Sequence, residues 1–149
     1  MRPFRERLHG PWRVAVTEGS MVPAILPGDW LVLNPLVTRW PPRGAVVVFN
    51  EPFGSTIQVK RVAALAGDRV PFADGYLELG PDEAWLTADA DEKAAASVGS
   101  GPPVDSSRFG PVSAGDLVGR VVFRYWPPPR IGRIRGPRSD PQNRRARST

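Results

Sequence analysis

The sequence predicts an all-β domain, built from coiled antiparallel sheets or a partly open barrel. Its apolar segments are short and rich in β-branched and aromatic residues, and each is followed closely by Gly, Pro, Asn or Asp. This pattern is typical of strands joined by turns. With 15 glycines and 18 prolines among 149 residues, the chain has too many breaks for long helices.

The predicted elements lie in one domain over residues 12–132, between a basic segment (1–11) and a basic tail (133–149) that we expect to be disordered. Residues 88–104 are small and polar, so we expect an exposed loop or a brief helical turn inserted in the domain. The predicted strands are Trp12–Val16, Trp30–Asn34, Ala45–Phe49, Gln58–Leu65, Tyr76–Leu79, Glu83–Thr87 and Leu117–Trp126.

Composition excludes several kinds of site. The chain has no cysteine, so it has no disulfide, no thiolate zinc site and no cysteine nucleophile. Its single histidine, His9, lies in an Arg-rich stretch, so neither a histidine triad nor a histidine metal site is expected. No apolar run approaches the ~20 residues of a membrane-spanning helix. The net charge of +5 is concentrated in the tail, which we interpret as solvated; no nucleic-acid partner is expected.

Lysine is used sparingly in this chain. Only Lys60 and Lys93 are lysines, whereas 18 basic residues are arginines. Arginine stays charged, but a buried lysine can lose its proton and act as a base. Strand alternation places Lys60 on one face with Val62 and Ala64. The alternative is a strand-edge lysine that points into solvent, and the pattern alone leaves both open.

A Gly-Ser turn follows the first predicted strand. Ser20 follows a glycine, and Pro23, Pro27 and Gly28 favour a tight turn before the next strand. A preceding glycine allows close backbone approach, and the amide of Ser20 could stabilise a developing oxyanion. A Gly-Ser pair alone is weak evidence, because most such pairs are ordinary turns.

Five segments together carry more information than either residue alone. Their order and spacing resemble the conserved motifs of bacterial type I signal peptidases, from about Val14 to Gly132. The resemblance implies an all-β fold of the signal peptidase–LexA type. It also implies an endopeptidase, without metal or cofactor, that removes signal peptides from exported pre-proteins after small residues (Ala-x-Ala type). The segments are GSMVPAILPGDWLVLN, RGAVVVFNEP, VKRVAALAGDRV, DSSRFGPV and VGRVVFRYWPPPRIG.

The resemblance also assigns roles to residues. Ser20 matches the nucleophile and Lys60 its general base. Asp105 and Arg108 match an ion pair that braces the site, although DSSR in place of the usual DSR displaces the arginine by one residue. Met21 matches the side chain that lines the pocket for the residue before the cut. Two strand segments match those that flank the extended substrate, namely Val14, Ala15, Val16 and Thr17, and Gln58 and Val59.

The sequence departs from the family at positions expected close to Ser20 and Lys60. Pro103 stands where some members carry a serine that hydrogen-bonds the lysine, so Ser97 or Ser100 is a candidate replacement. Glu18 stands where some members carry a hydroxyl that donates to the oxyanion. Because an ionised glutamate only accepts hydrogen bonds, Thr17 or the backbone amides must donate instead.

Members of this family usually carry a membrane anchor, and no such segment is found in this sequence. We therefore expect a monomer held at the cell membrane peripherally or through a partner, with its site outside; a soluble cytoplasmic protein is the alternative. Trp30 and the Arg-rich ends would suit a membrane surface.

Three other functions remain open at this point. One is a soluble maturation protease of the same clan, as in nickel superoxide dismutase maturation. Another is a LexA-type self-cleaving domain, disfavoured because neither its cleavable bond nor its DNA-binding helices are evident. The third is a catalytically weakened β-domain that binds peptides or anionic surfaces.

Overall fold

The computed structural model describes residues 13–54 and 56–136, and this part of the chain is mostly β-strand. The predicted segment 1–11 and most of the tail lie outside the described residues, so the domain boundaries stay predictions. The strands are β1 (Arg13–Ala15), β2 (Trp30–Asn34), β3 (Val46–Asn50), β4 (Ile57–Ala64), β5 (Arg69–Phe72), β6 (Gly75–Glu78), β7 (Glu83–Thr87), β8 (Val112–Ser113) and β9 (Leu117–Trp126). Two short helices follow β7, α1 (Glu92–Ala96) and α2 (Ser106–Phe109).

Seven strands form one antiparallel sheet in the order β1-β2-β9-β3-β4-β7-β8, and β5 and β6 form a separate hairpin. Register shifts interrupt the β2–β9, β3–β9 and β4–β7 pairings. Such bulges bend strands and increase their twist. The sheet is coiled but not closed, which confirms the predicted all-β class.

Two strands, β5 and β8, were not predicted from the sequence. β5 contains Pro71, which usually argues against a strand, but a proline is tolerated where a strand has a single neighbour, as β5 has in its hairpin. β8 has only two residues and is defined by its pairing with β7. Within the predicted loop 88–104, Asp91 caps α1 by accepting a hydrogen bond from the amide of Ala94.

The central strand β3 is buried on both faces. Its apolar run Val46–Phe49 is almost entirely inaccessible to solvent. Val48 packs in a cluster with Ile25 and Leu31, whereas Val47 on the opposite face packs with Leu86. The sheet therefore separates two apolar clusters, and all five residues of β3 pair with β4 in this interior.

A buried carboxylate joins the beginning and the end of the domain. Asp29 follows the Gly-Ser turn, and its side chain is only 2% exposed. Its two oxygens lie 3.0 Å from guanidinium nitrogens of Arg124 and Arg130. It also accepts a hydrogen bond from the amide of Leu26, and Arg124 donates to the carbonyl of Ala24. The turn is thereby held against β9.

We expect Asp29→Ala to lower the free energy of unfolding by about 3–5 kcal/mol, because it leaves the buried Arg124 without its counterion. Urea denaturation measures the change. Asp68→Ala is the matched control: it removes an ion pair with Arg43, whose side chain is 60% exposed, and exposed pairs contribute little. Equal losses in the two variants would contradict the role given to Asp29.

Candidate active site

The β1–β2 connection and strand β4 bring together the two residues singled out by their chemistry. The hydroxyl oxygen of Ser20 lies 2.8 Å from Nζ of Lys60. Lys60 is 1% exposed and Ser20 is 9% exposed. The alternative that Lys60 points into solvent is therefore wrong.

The amine of Lys60 has two further partners, both of them oxygens on β4. Oε1 of Gln58 lies 3.0 Å from Nζ, and the carbonyl oxygen of Val59 lies 3.3 Å from it. Neither is charged. Among the described residues, no carboxylate forms an ion pair with this lysine.

Burial lowers the pKa of Lys60 below its ordinary value, because an ammonium ion loses hydration in the interior. The carboxylates of Glu18, Asp105 and Glu51 act in the opposite direction through space but do not offset the burial. The neutral amine, which is the form able to accept a proton, is therefore more readily populated than in an exposed lysine.

The segment 88–104 holds the Ser20 turn in place. The amide of Ala90 donates to the carbonyl oxygen of Ser20 at 3.0 Å, and the amide of Gly19 donates to Oγ of Ser100 at 2.7 Å. A Cβ atom at Gly19 would collide with Val98 and lie 2.9 Å from Oγ of Ser100. Glycine is thus required before Ser20 because this segment packs directly on the backbone.

A groove of about 310 Å³ runs along one side of the pair, a size within the ~300–1,000 Å³ range of ligand sites. Ser20 and parts of β1 and β4 line it. Its walls include every residue predicted to bind substrate, namely Val14, Ala15, Val16, Thr17, Met21, Gln58 and Val59.

A second cavity, of about 420 Å³, is also lined by Ser20. Glu51 and residues 99–104 line it, and four residues line both cavities, namely Thr17, Glu18, Ser20 and Gln58. Ser20 therefore lies where the two cavities adjoin.

Comparison with known proteins identifies the family. The sequence model described as "Signal peptidase, peptidase S26" matches residues 8–97, more than half of the chain. The chain belongs to the S26 signal peptidase family. The resemblance noted in the motifs is thereby confirmed.

Curated relatives of this S26 peptidase include "Signal peptidase I" of Leptolyngbya laminosa, which is 26% identical over 80% of this chain and 71% of the relative. "Probable thylakoidal processing peptidase 2, chloroplastic" of Arabidopsis thaliana is 28% identical over 88% of this chain but 42% of the relative. "Probable signal peptidase I-2" of a Synechocystis strain is 27% identical over 78% of this chain and 64% of its own length. The chain thus spans less than two thirds of two of these three relatives.

Among the ion pairs of the described residues, none joins Asp105 to Arg108. Asp105 caps α2, accepting from the amide and hydroxyl of Ser107, and its second oxygen accepts from the amide of Ala88 at 2.9 Å. These contacts occupy the carboxylate. The additional serine in DSSR places Arg108 at the end of the helical turn.

The ion pair near the site joins Arg61 and Asp89 instead. Nε and Nη2 of Arg61 lie 2.8 and 2.7 Å from the two carboxylate oxygens, and both side chains are largely buried. Arg61 also donates to the carbonyl oxygens of Gly44 and Arg135. The sequence offered one signal, an arginine directly after Lys60 in a buried strand, but it did not indicate the partner.

Neither candidate serine reaches the amine of Lys60. Oγ of Ser97 donates to the carbonyl of Ala94, and Ser100 accepts from Gly19. Gln58, predicted only as a substrate-binding residue, lies at the amine instead.

Two further observations concern metal binding and membrane insertion. Within residues 13–54 and 56–136, no group of three or more His, Cys, Asp or Glu is placed to hold a metal ion. None of the helices in the same ranges is long and apolar enough to cross a bilayer.

We expect Lys60→Met to raise the melting temperature near neutral pH. The pKa of Lys60 is lower in the folded chain than in the unfolded one, so between these two values the unfolded chain binds the additional proton. The loss of folding stability that comes from burying the lysine is therefore largest below the pKa of the folded chain. It disappears above the pKa of the unfolded chain, about 10.4.

Thermal melting across this pH range measures the difference between Lys60→Met and the wild type. The gain in melting temperature should become smaller as the pH rises. Lys93→Met is the control, because Lys93 is exposed on α1, and it should show little difference at any pH. A gain for Lys60→Met that does not change with pH would show that Lys60 is not buried as described.

Proposed function

We propose that the chain is a serine endopeptidase that removes signal peptides from exported pre-proteins, with Ser20 as nucleophile and Lys60 as general base. The observation that carries the proposal is the 2.8 Å contact between a hydroxyl and a buried amine, located where the groove meets the second cavity. A hydroxyl and a base within hydrogen-bond reach are the requirement for this kind of nucleophile.

In the proposed reaction the neutral amine of Lys60 accepts the proton of Ser20 while Oγ attacks the scissile carbonyl. The resulting ammonium then protonates the departing amine, which leaves an ester on Ser20. Lys60 next accepts a proton from water as that water attacks the ester, and the proton returns to Oγ when the product acid leaves. The same amine thus serves as base and acid in both halves.

The developing negative charge on the substrate oxygen needs a donor. The amide of Ser20 donates to no acceptor within the described part of the chain, which supports its use for the oxyanion. Glu18 occupies the position where a hydroxyl was expected, but its side chain is exposed and, when ionised, only accepts hydrogen bonds. We assign the main stabilisation to the backbone.

The groove supports an extended peptide as substrate. β1 is an edge strand whose partner in the sheet is β2, and an edge strand can add a substrate strand through backbone hydrogen bonds. Met21 is buried and lines the groove, and we propose that it limits the position before the cut to small side chains. An Ala-x-Ala type of site follows.

We further propose that the protein acts at a membrane surface, outside the cell. One relative is named a mitochondrial "inner membrane protease" subunit, from Arabidopsis thaliana. Trp30, expected at a membrane-facing rim, is partly buried beside Tyr125, with ring centroids 6.2 Å apart. Its neighbour Trp126 is half exposed, and an exposed tryptophan suits the interface between lipid and water.

Substitution of the proposed catalytic pair tests the activity. We expect Ser20→Ala and Lys60→Arg each to reduce cleavage of a signal-peptide substrate by at least about 10³-fold while the fold is kept. Arginine cannot supply a neutral base. Lys93→Arg is the control and should remain fully active. The assay is repeated with phenylalanine replacing the alanine before the cut, which should abolish cleavage, and with EDTA, which should not.

Retained turnover by folded Lys60→Arg would remove Lys60 from the mechanism. Zinc-dependent recovery after EDTA inactivation would overturn the proposed reaction as a whole.

Sedimentation with lipid vesicles tests the membrane proposal. The full chain should bind anionic vesicles at low salt and be released at high salt, because each basic residue near such a surface contributes about 1 kcal/mol. Neutral vesicles are the control, and Trp126→Ala should weaken binding. If the protein stays in the supernatant with anionic vesicles at low salt, it does not bind the membrane by itself.

A further inference from the structure

We infer that the side chain of Gln58 is a positioning residue that directs the lone pair of the Lys60 amine towards the hydroxyl proton of Ser20. This inference rests on the proposed function and assigns to Gln58 a role separate from substrate binding. It derives from the three polar contacts of Nζ, with Oγ of Ser20, Oε1 of Gln58 and the carbonyl oxygen of Val59.

The direction of each hydrogen bond follows from what the partners can do. A neutral amine has two N–H groups and one lone pair. The amide oxygen of Gln58 and the carbonyl oxygen of Val59 can only accept, whereas the hydroxyl of Ser20 can also donate. All three contacts are satisfied when the amine donates to the two oxygens on β4 and accepts from Ser20. That arrangement is the one required for proton transfer.

Loss of Gln58 would free one N–H group. The amine could then rotate about its Cε–Nζ bond and donate to Oγ of Ser20, which leaves its lone pair directed elsewhere. A hydroxyl that accepts from the amine cannot pass its proton to it in that geometry. Gln58 therefore acts on the rate of the chemical step rather than on substrate affinity.

The fold explains why a residue at this position can reach the amine. Gln58 and Lys60 are two residues apart on β4, so their side chains leave the same face. Their register partners on β3 are Phe49 and Val47, which offer no polar side chain. Pro103, where the resemblance suggests a serine for the lysine, also has none. In the described part of the chain, Gln58 is the one side chain besides Ser20 within hydrogen-bond distance of Nζ.

Two substitutions separate the possible roles of Gln58. Gln58→Leu removes the acceptor at similar size, and we expect kcat to fall about 10- to 100-fold with KM nearly unchanged, since misplacement of a reacting group has effects of this order. Gln58→Glu keeps an acceptor oxygen and adds a negative charge, which favours the ammonium form. The rise of kcat with pH should then shift upward by about 1–3 pH units, with activity recovered at high pH.

The carboxylates that already act on the amine, Glu18, Glu51 and Asp105, are unchanged in both variants. Val122→Glu adds the same charge at an exposed position of β9 and controls for net charge; its pH profile should match that of the wild type. Melting curves establish that each variant is folded. If Gln58→Leu does not fold, the pH shift in Gln58→Glu still decides the question.

Wild-type kcat in folded Gln58→Leu, or a rise in KM alone, would overturn the inference, and so would an unshifted pH profile in Gln58→Glu. A parallel assay of Ser20→Ala distinguishes failure of the role given to Gln58 from failure of the proposed function. If Ser20→Ala is inactive and the Gln58 variants behave like the wild type, only the positioning role fails. If Ser20→Ala cleaves normally, the proposed function itself fails.

Discussion

The burial of one amine constrains the geometry of the whole site. Lys60 lies in the interior without a counterion in contact, and its three polar neighbours are uncharged oxygens. A carboxylate in direct contact would satisfy an ammonium better but would raise the pKa of the lysine and hold its proton. The surrounding structure therefore has to provide uncharged hydrogen-bond partners for the amine and apolar side chains around it. The position of β4 inside the sheet provides the apolar walls, and the strand that carries the lysine itself provides two of the three polar partners of the amine.

The buried arginines carry a permanent charge and, unlike Lys60, are each paired with a carboxylate. Arg61 and Arg124 are both buried, and each meets a carboxylate as well as backbone carbonyls. A guanidinium remains charged in such a setting and can form several directed hydrogen bonds. These arginines fasten segments that are far apart in sequence, whereas the single interior lysine is left able to lose its proton. The scarcity of lysine in this chain thus matches a division between structural and chemical roles.

The parts of the structure that could be predicted are those with local signals. Strand alternation and turn residues located seven strands. Residue types drew attention to Ser20 and Lys60, and the resemblance of five segments to signal peptidases linked the two. What could not be predicted depends on contacts across the fold. The Gly19–Ser100 hydrogen bond spans 81 residues and the Arg61–Asp89 pair spans 28, and no periodicity encodes either. The missed strand β8 exists only through its pairing with β7, and the capping role of Asp105 depends on the backbone of α2.

The position of β9 has a consequence for when this domain can exist during synthesis. It is the last strand of the described chain, yet it lies between β2 and β3 in the sheet and carries Arg124, which reaches back to Asp29. Until β9 has been synthesised, no strand joins β2 to β3, and Asp29 beside the Ser20 turn lacks its contact with Arg124. Pairings over such separations also form slowly, since long loops must close first. The seven-stranded sheet can therefore be completed only when the last strand of the described chain has been made, and the contact that Arg124 gives to Asp29 forms at the same stage.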